Sequence, residues 1–328
     1  MTSTASLADP RMTWMDAARG VAVLLVVILH GATIPMSTGA GSETWVEINR
    51  YIEPVRMPLL LFLSGMLLPR SLAKPWTTFL RGKLHGIAWP LLVWMLLYGV
   101  LVFRNSVFDP GLWRSGDYLW FLFVVLGCYF LGMLARWVHP LLIALVMVAA
   151  ITAIPDPPMH RLDMKLLYFG AFFFFGAGLG RFVPQWTRAP AWIGVVVTVI
   201  AGWLCFQAAD DLDLRRGTAI AASISLICLA AMLWWLPRLP SNRGTAWLEW
   251  FGRHSLVVYV SHFPIMILVH RTVDRFDVES WIHVGFCTVV TLLVVTVMTL
   301  IRPQTSWLYA WPQRKPAPSR AERDLISE

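Results

Sequence analysis

The sequence predicts an all-α polytopic membrane protein, a bundle of about ten transmembrane helices with both termini in the cytosol. Hydrophobic residues make up 57% of the 328 positions and charged residues 14%, at a mean hydropathy of +0.62. A soluble domain of this length carries about 25% charged residues. Apolar stretches approaching the roughly 20 residues that cross a bilayer fall near 17–36, 55–69, 86–103, 118–135, 140–154, 166–180, 190–207, 217–236, 255–270 and 281–301. The loops between them are short, so no room remains for an appended soluble catalytic domain, and any chemistry belongs inside the bundle. With the N-terminus inside, lysine and arginine are in excess on the cytosolic segments and acids on the external ones, as membrane topology requires. The net charge of +8 is therefore a topology signal and not a nucleic-acid footprint. Residues 1–16 read as a cytosolic N-terminal segment, 17–302 as the membrane domain, and 303–328 as a Pro- and charge-rich cytosolic tail without a packed structure.

The first span carries Arg19 and His30, eleven residues apart. On a helix that spacing is about three turns, so both side chains share one face about 16 Å apart along the axis. Arg19 sits where the helix leaves the cytosol, and His30 lies within the hydrocarbon, where a histidine needs a polar neighbour or a cavity. The stretch is longer than a signal-peptide core and lacks a small-residue cleavage site, so it is expected to stay as a signal-anchor helix.

In the second span, Arg56-Met57-Pro58 leads into Leu59–Gly65, which places Pro58 in the first helical turn, where a missing N–H is tolerated. Ser64 is expected to bond back to its own helix and Gly65 to allow close packing. The next loop holds Arg70, Lys74, Arg81, Lys83 and His85, with no acidic residue between Pro69 and Phe108. Such a loop anchors most membrane proteins; it also suits phosphate at the mouth of the bundle. The fourth span opens with Asp117-Tyr118-Leu119-Trp120, where aromatic residues are ordinary at a membrane interface. In the sixth, Gly176 and Gly180 are spaced for a close helix approach. The external run Asp210–Arg216 reads as a solvated loop. Cys128, Cys205, Cys228 and Cys287 lie inside apolar spans without Cys-x-x-Cys spacing; they read as packing residues, and no metal site is expected.

The ninth span reads Trp250–Pro264, and Ser255, Tyr259 and His262 form one polar stripe on it. His262 stands about 13 Å above Arg253 by helical rise, as His30 stands about 16 Å above Arg19. Both helices run from inside to outside, so the two histidines are expected at similar depth around a shared polar cavity.

Together these segments resemble the acyltransferase 3 family, membrane enzymes that O-acylate cell-surface glycans and related acceptors. The resemblance rests on the pair Arg19 and His30, on Pro58, Phe62, Ser64 and Gly65, on Leu119–Leu122, and on Gly252-Arg253-His254-Ser255 running through Tyr259 to His262. The family also carries closely spaced arginines before the third span; here that stretch, Arg81–Pro90, keeps one arginine with Lys83 and His85 nearby. Lysine does not copy a bidentate arginine clamp.

The resemblance implies an acyl-coenzyme A donor from the cytosol, usually acetyl-coenzyme A. Its phosphates would rest on Arg19, Arg81, Lys83 and His85. The acceptor would be a hydroxyl of a cell-surface or lipid-linked glycan, in a multi-pass protein of the cytoplasmic membrane. A neutral His30 can take the hydroxyl proton as general base, with His262, Tyr259 or Ser255 orienting it or steadying the oxyanion and Ser64 in support. A covalent acyl-histidine is the other route. The rival reading is a transporter or flippase of a glycan or glycolipid, whose usual repeated halves and paired broken helices are not evident in the sequence. The oligomeric state is open.

Overall fold

The computed structural model describes residues 12–103, 110–276 and 278–312. Among them all regular structure is helical and no strand is present. The elements that matter here are α1 (Thr13–Met36), α2 (Glu43–Gly65), α3 (Trp89–Tyr98), α4 (Trp120–Leu134), α5 (Pro140–Thr152) and α6 (Leu162–Leu179). They are followed by α7 (Ala191–Asp210), α8 (Ala219–Trp235), α9 (Arg243–Arg253), α10 (Ser255–Val273) and α11 (Ser280–Leu300).

Eight helical segments are long and apolar enough to cross a membrane, and α5 is a shorter apolar helix. The expected third span is a 10-residue α-helix between two π-helical stretches, Leu84–Ala88 and Gly99–Phe103. The protein is thus an all-helical membrane protein. Many apolar side chains on α7 and α11 point outward, among them Val199 and Leu293, which suits contact with lipid rather than water.

Helix α1 lies at the centre, packed on α2, α9, α10 and α11. Two close approaches set its neighbourhood. Where α1 meets α9, a Cβ on Gly20 would overlap the Leu248 carbonyl, and one on Gly252 would overlap the Asp16 carbonyl. The crossing of α2 with α6 repeats the device: Gly65 lies on the Phe173 backbone and Gly176 on the Phe62 backbone. Gly180 packs on Met66, so the small residues of α6 do face α2 as their spacing predicts. Backbones can come this close only where no side chain intervenes.

Three expectations need correcting. The second span does not begin near Pro58. Helix α2 starts at Glu43, with Pro54 and Pro58 both inside it, because the polar turns before the apolar run continue the same helix. The ninth span is not one helix: α9 ends at Arg253, and α10 starts at Ser255 after His254, whose φ and ψ of −108° and 16° leave the helical region. His254 Nδ1 bonds the Trp250 carbonyl at 2.8 Å, capping the broken end. Arg253 therefore belongs to an amphipathic helix beside the bundle, paired with Glu249 at 3.7 Å, and is not the base of His262's helix. The tail, finally, is not structureless from residue 303. The Trp89 and Trp94 indoles donate to the carbonyls of Trp307 and Leu308 at 2.7 and 3.0 Å, so the chain folds back on α3. Residues 313–328 lie outside the described residues.

The Asp210–Arg216 run is also more than a solvated loop, since Arg215 and Arg216 reach Glu53 of α2 at 3.3 and 3.6 Å. Overpacking a tight crossing costs about 1–3 kcal/mol or more. Gly252→Leu should accordingly lower the melting temperature of the detergent-solubilised protein by several degrees. The same change at Gly202, where a Cβ meets nothing within 4 Å, should leave it nearly unchanged.

Candidate active site

The two membrane-depth histidines meet. The rings of His30 on α1 and His262 on α10 lie 5.3 Å apart. The edge of Phe263 closes one side of His30 at 4.8 Å, and Phe263 itself stacks on Tyr118 at 4.9 Å. His262 is fully buried, whereas His30 keeps partial exposure.

The hydrogen bonds of His262 assign its tautomer. Nδ1 lies 2.7 Å from the Tyr259 carbonyl and 3.1 Å from that of Val258. Carbonyls only accept, so Nδ1 carries the proton and Nε2 keeps a lone pair. That Nε2 is buried and has no partner among the described residues.

A second polar group stands beside His30. The guanidinium of Arg56, 4% exposed, is close enough to act on His30 electrostatically. Its Nη1 donates to the side-chain and main-chain oxygens of Asn49 at 2.7 and 3.1 Å. Arg56 is a residue that the motifs in the sequence do not single out. The available signal was its partner, since Asn49 lies seven residues earlier on the same helix face.

Tyr259 connects this centre to the rest. Its ring is 5.9 Å from that of His262, and its hydroxyl donates to the Tyr118 carbonyl at 2.5 Å while accepting from Phe121 N–H at 3.3 Å. Tyr118 returns the contact, donating to the Val260 carbonyl at 2.9 Å. The only hydroxyl proton of Tyr259 is thereby committed. The residue fastens α10 to the start of α4, which explains why the Asp117–Leu122 segment belongs with the site.

Two cavities have Arg19 in their lining, and neither is lined by His30 or His262, so the polar cavity expected around the two histidines is not what the structure shows. The larger, about 740 Å³, is bounded by Arg19, Arg70, Arg181 and His139, with Asp16 among its walls. The smaller, about 100 Å³, is bounded by Arg19, Ser64, Ser255 and Tyr259, together with Val23 and Leu60. Four of the residues singled out in sequence thus share one space. Ser64 donates to the Leu60 carbonyl at 2.7 Å, as expected. Ser255 opens α10, whose first turn carries no side-chain cap, so that its N–H groups favour negative charge.

The other expected phosphate contacts diverge. Arg81 is exposed, and His85 stacks on Trp311 at 5.8 Å. Lys83 sits 3.3 Å above the Tyr129 ring and donates to the Ser71 hydroxyl at 3.2 Å. None of the three lines the larger cavity, where Arg70 and Arg181 stand instead.

Comparison with known proteins identifies the family. The model of the acyltransferase domain family (acyltransferase 3) matches residues 12–300. This chain belongs to that family. It is an acyltransferase, and acyl donor and acceptor substrates follow from the membership. The chain is also similar to the inner membrane protein YcfT of Escherichia coli (strain K12), 23% identical over 86% of this chain and 91% of the relative. No solved structure matches it.

Burial, with Lys74 nearby, pushes the Lys83 ammonium down to about 8. Below that pH the folded and unfolded chains both carry the proton, and the cost of burial applies in full. From about 8 up to the ordinary lysine value only the unfolded chain stays charged, so stability rises with pH across this window. The wild-type melting temperature should rise between pH 8 and 10 relative to that of Lys83→Met, and parallel profiles would show that Lys83 titrates normally.

Proposed function

We propose that this protein moves a small acyl group, most simply acetyl, from cytosolic acyl-coenzyme A to a hydroxyl of a cell-surface or lipid-linked glycan. The cytoplasmic membrane is its proposed site of action, with both termini cytosolic and residues 17–302 as the acyltransferase domain. The observation that carries the reading is the position of Arg19 on both cavities, because one is a broad arginine-lined space and the other a narrow one that reaches Tyr259, whose ring is 5.9 Å from that of His262. A donor with a phosphate-rich head and a long thin arm has this shape. Arginine clusters suit phosphate oxygens, and the larger cavity has the volume of a ligand site.

In this scheme the head rests on Arg19, Arg70 and Arg181, and the arm runs past Ser64 and Ser255 toward Tyr259. His262, its proton fastened at Nδ1 by the Tyr259 and Val258 carbonyls, lies beside His30 as a neutral neighbour, and His30 acts as base. His30 takes the acceptor hydroxyl's proton as the oxygen attacks the thioester carbonyl. The carbon–oxygen bond forms, the carbon–sulfur bond breaks, and the coenzyme thiolate leaves and takes up a proton. Arg56 stands where it can oppose the negative charge on the carbonyl oxygen. An acyl-histidine intermediate on His30 uses the same atoms in two steps.

Transfer from radiolabelled acetyl-coenzyme A into the glycan and glycolipid of membranes carrying the protein tests this scheme. His30→Ala should lower labelling by about two orders of magnitude or more while donor binding persists; an active variant would remove His30 from the reaction. Arg19→Ala should weaken coenzyme A binding about tenfold or more, with Arg19→Lys restoring only part of it. Unchanged affinity in both variants would return Arg19 to membrane anchoring.

A further inference from the structure

At the end of the bundle away from Arg19, three ligand-type side chains meet that acyl transfer does not use. His270 lies in the last turn of α10, and His283 and Cys287 lie near the start of α11. All three are buried, and their nitrogen and sulfur ligand atoms lie within 4.8 Å of one another. His270 Nδ1 is 2.9 Å from His283 Nε2.

The tautomer of His270 follows from its other side. Its Nε2 lies 3.0 Å from the Thr38 hydroxyl oxygen, and that hydroxyl donates to the Pro35 carbonyl at 3.0 Å. A hydroxyl has one proton to give. Thr38 therefore accepts from the His270 Nε2–H, and Nδ1 holds a lone pair aimed at the cluster. That lone pair now accepts from His283 Nε2–H, a proton that moves to His283 Nδ1 when the two nitrogens take an ion; one nitrogen fastened by a neighbour and the other turned to the cluster is how metal-ligating imidazoles are oriented.

His283 and Cys287 are four residues apart on one helix face, the spacing by which a helix offers two ligands to one ion. For bonds of about 2.0–2.3 Å, the ligand atoms of a tetrahedral zinc site sit about 3–4 Å apart. The cluster reaches that geometry with side-chain shifts of about an ångström. Asp274, one turn beyond His270, acts electrostatically on both His270 and Cys287 and adds a negative charge. The nearby cation Arg271 is turned to the Val102 carbonyl at 3.2 Å.

We propose that His270, His283 and Cys287 form a Zn²⁺ site that joins the ends of α10 and α11 and, through Thr38, the end of α1. Two imidazoles and a thiolate suit this ion, with a fourth position left for water or a carboxylate. His262 lies two turns from His270 on α10, and His30 lies on α1 eight residues before Thr38, which sits in the turn that closes that helix. The ion would hold the two helices that carry the paired histidines. No Cys-x-x-Cys marks this site in the sequence, because it pairs His283-x-x-x-Cys287 on α11 with a histidine from another helix.

Purified full-length protein, stripped with chelator, is titrated with Zn²⁺ by calorimetry and with Co²⁺ as a spectroscopic probe. One equivalent of Zn²⁺ should bind, and Co²⁺ should give a near-ultraviolet thiolate-to-metal band that Cys287→Ser removes. Thr38→Val keeps all three ligands and should weaken Zn²⁺ binding about 10- to 100-fold. Wild-type protein that takes up no Zn²⁺ and shows no Co²⁺ band overturns the proposal whatever the variants do. So does affinity that survives both Cys287→Ser and His283→Ala.

Discussion

Everything around the centre of this bundle depends on placing two imidazoles side by side in an apolar interior. A buried polar group without a partner costs of the order of 1–3 kcal/mol, so His30 and His262 impose a demand on their neighbours. The Tyr259 and Val258 carbonyls fasten one nitrogen of His262, and Phe263 and His262 flank His30. The mutual bonds of Tyr118 and Tyr259 then hold α10 against the start of α4. The glycine crossings act one level further out, bringing α1 onto α9 and α2 onto α6 so that the polar residues can meet.

Much of this was legible in the sequence. Helical rise alone placed His30 and His262 at one depth, and their rings are 5.3 Å apart. The shared cavity expected around the two histidines is instead lined by Arg19, Ser64, Ser255 and Tyr259 and by neither imidazole. The meeting of the rings was legible because depth and facing on a membrane helix follow from residue spacing. Topology supplied the direction.

Other features were hidden for identifiable reasons. Arg253 looked like the base of His262's helix, because no proline or run of glycines marks the break at His254. The break goes with one tertiary contact, Gly252 against the Asp16 backbone, and one local cap, the His254 side chain on the Trp250 carbonyl. Basic residues told the same partial story. Arg70 and Arg181 are far apart in sequence and meet Arg19 around one cavity only because α6 packs on α2, which in turn packs on α1. Lys83 sits close to Arg81 in sequence yet turns inward to Tyr129. Charge alone does not say which way a long side chain points.

The narrowness of the passage between Arg19 and Tyr259 has a consequence for selectivity. At about 100 Å³ it holds roughly three water molecules' worth of liquid. Its walls are side chains on helices already fastened to one another, so it has little freedom to dilate. On the proposed reading, a two-carbon acyl group adds little length beyond the thioester. A long fatty chain would need further space and would have to displace Leu60, Val23 or Phe121 to find it. The protein would then sort donors by the length of the acyl chain before any bond is made, and the room in this cavity, more than the chemistry beside it, would decide which acyl group is transferred.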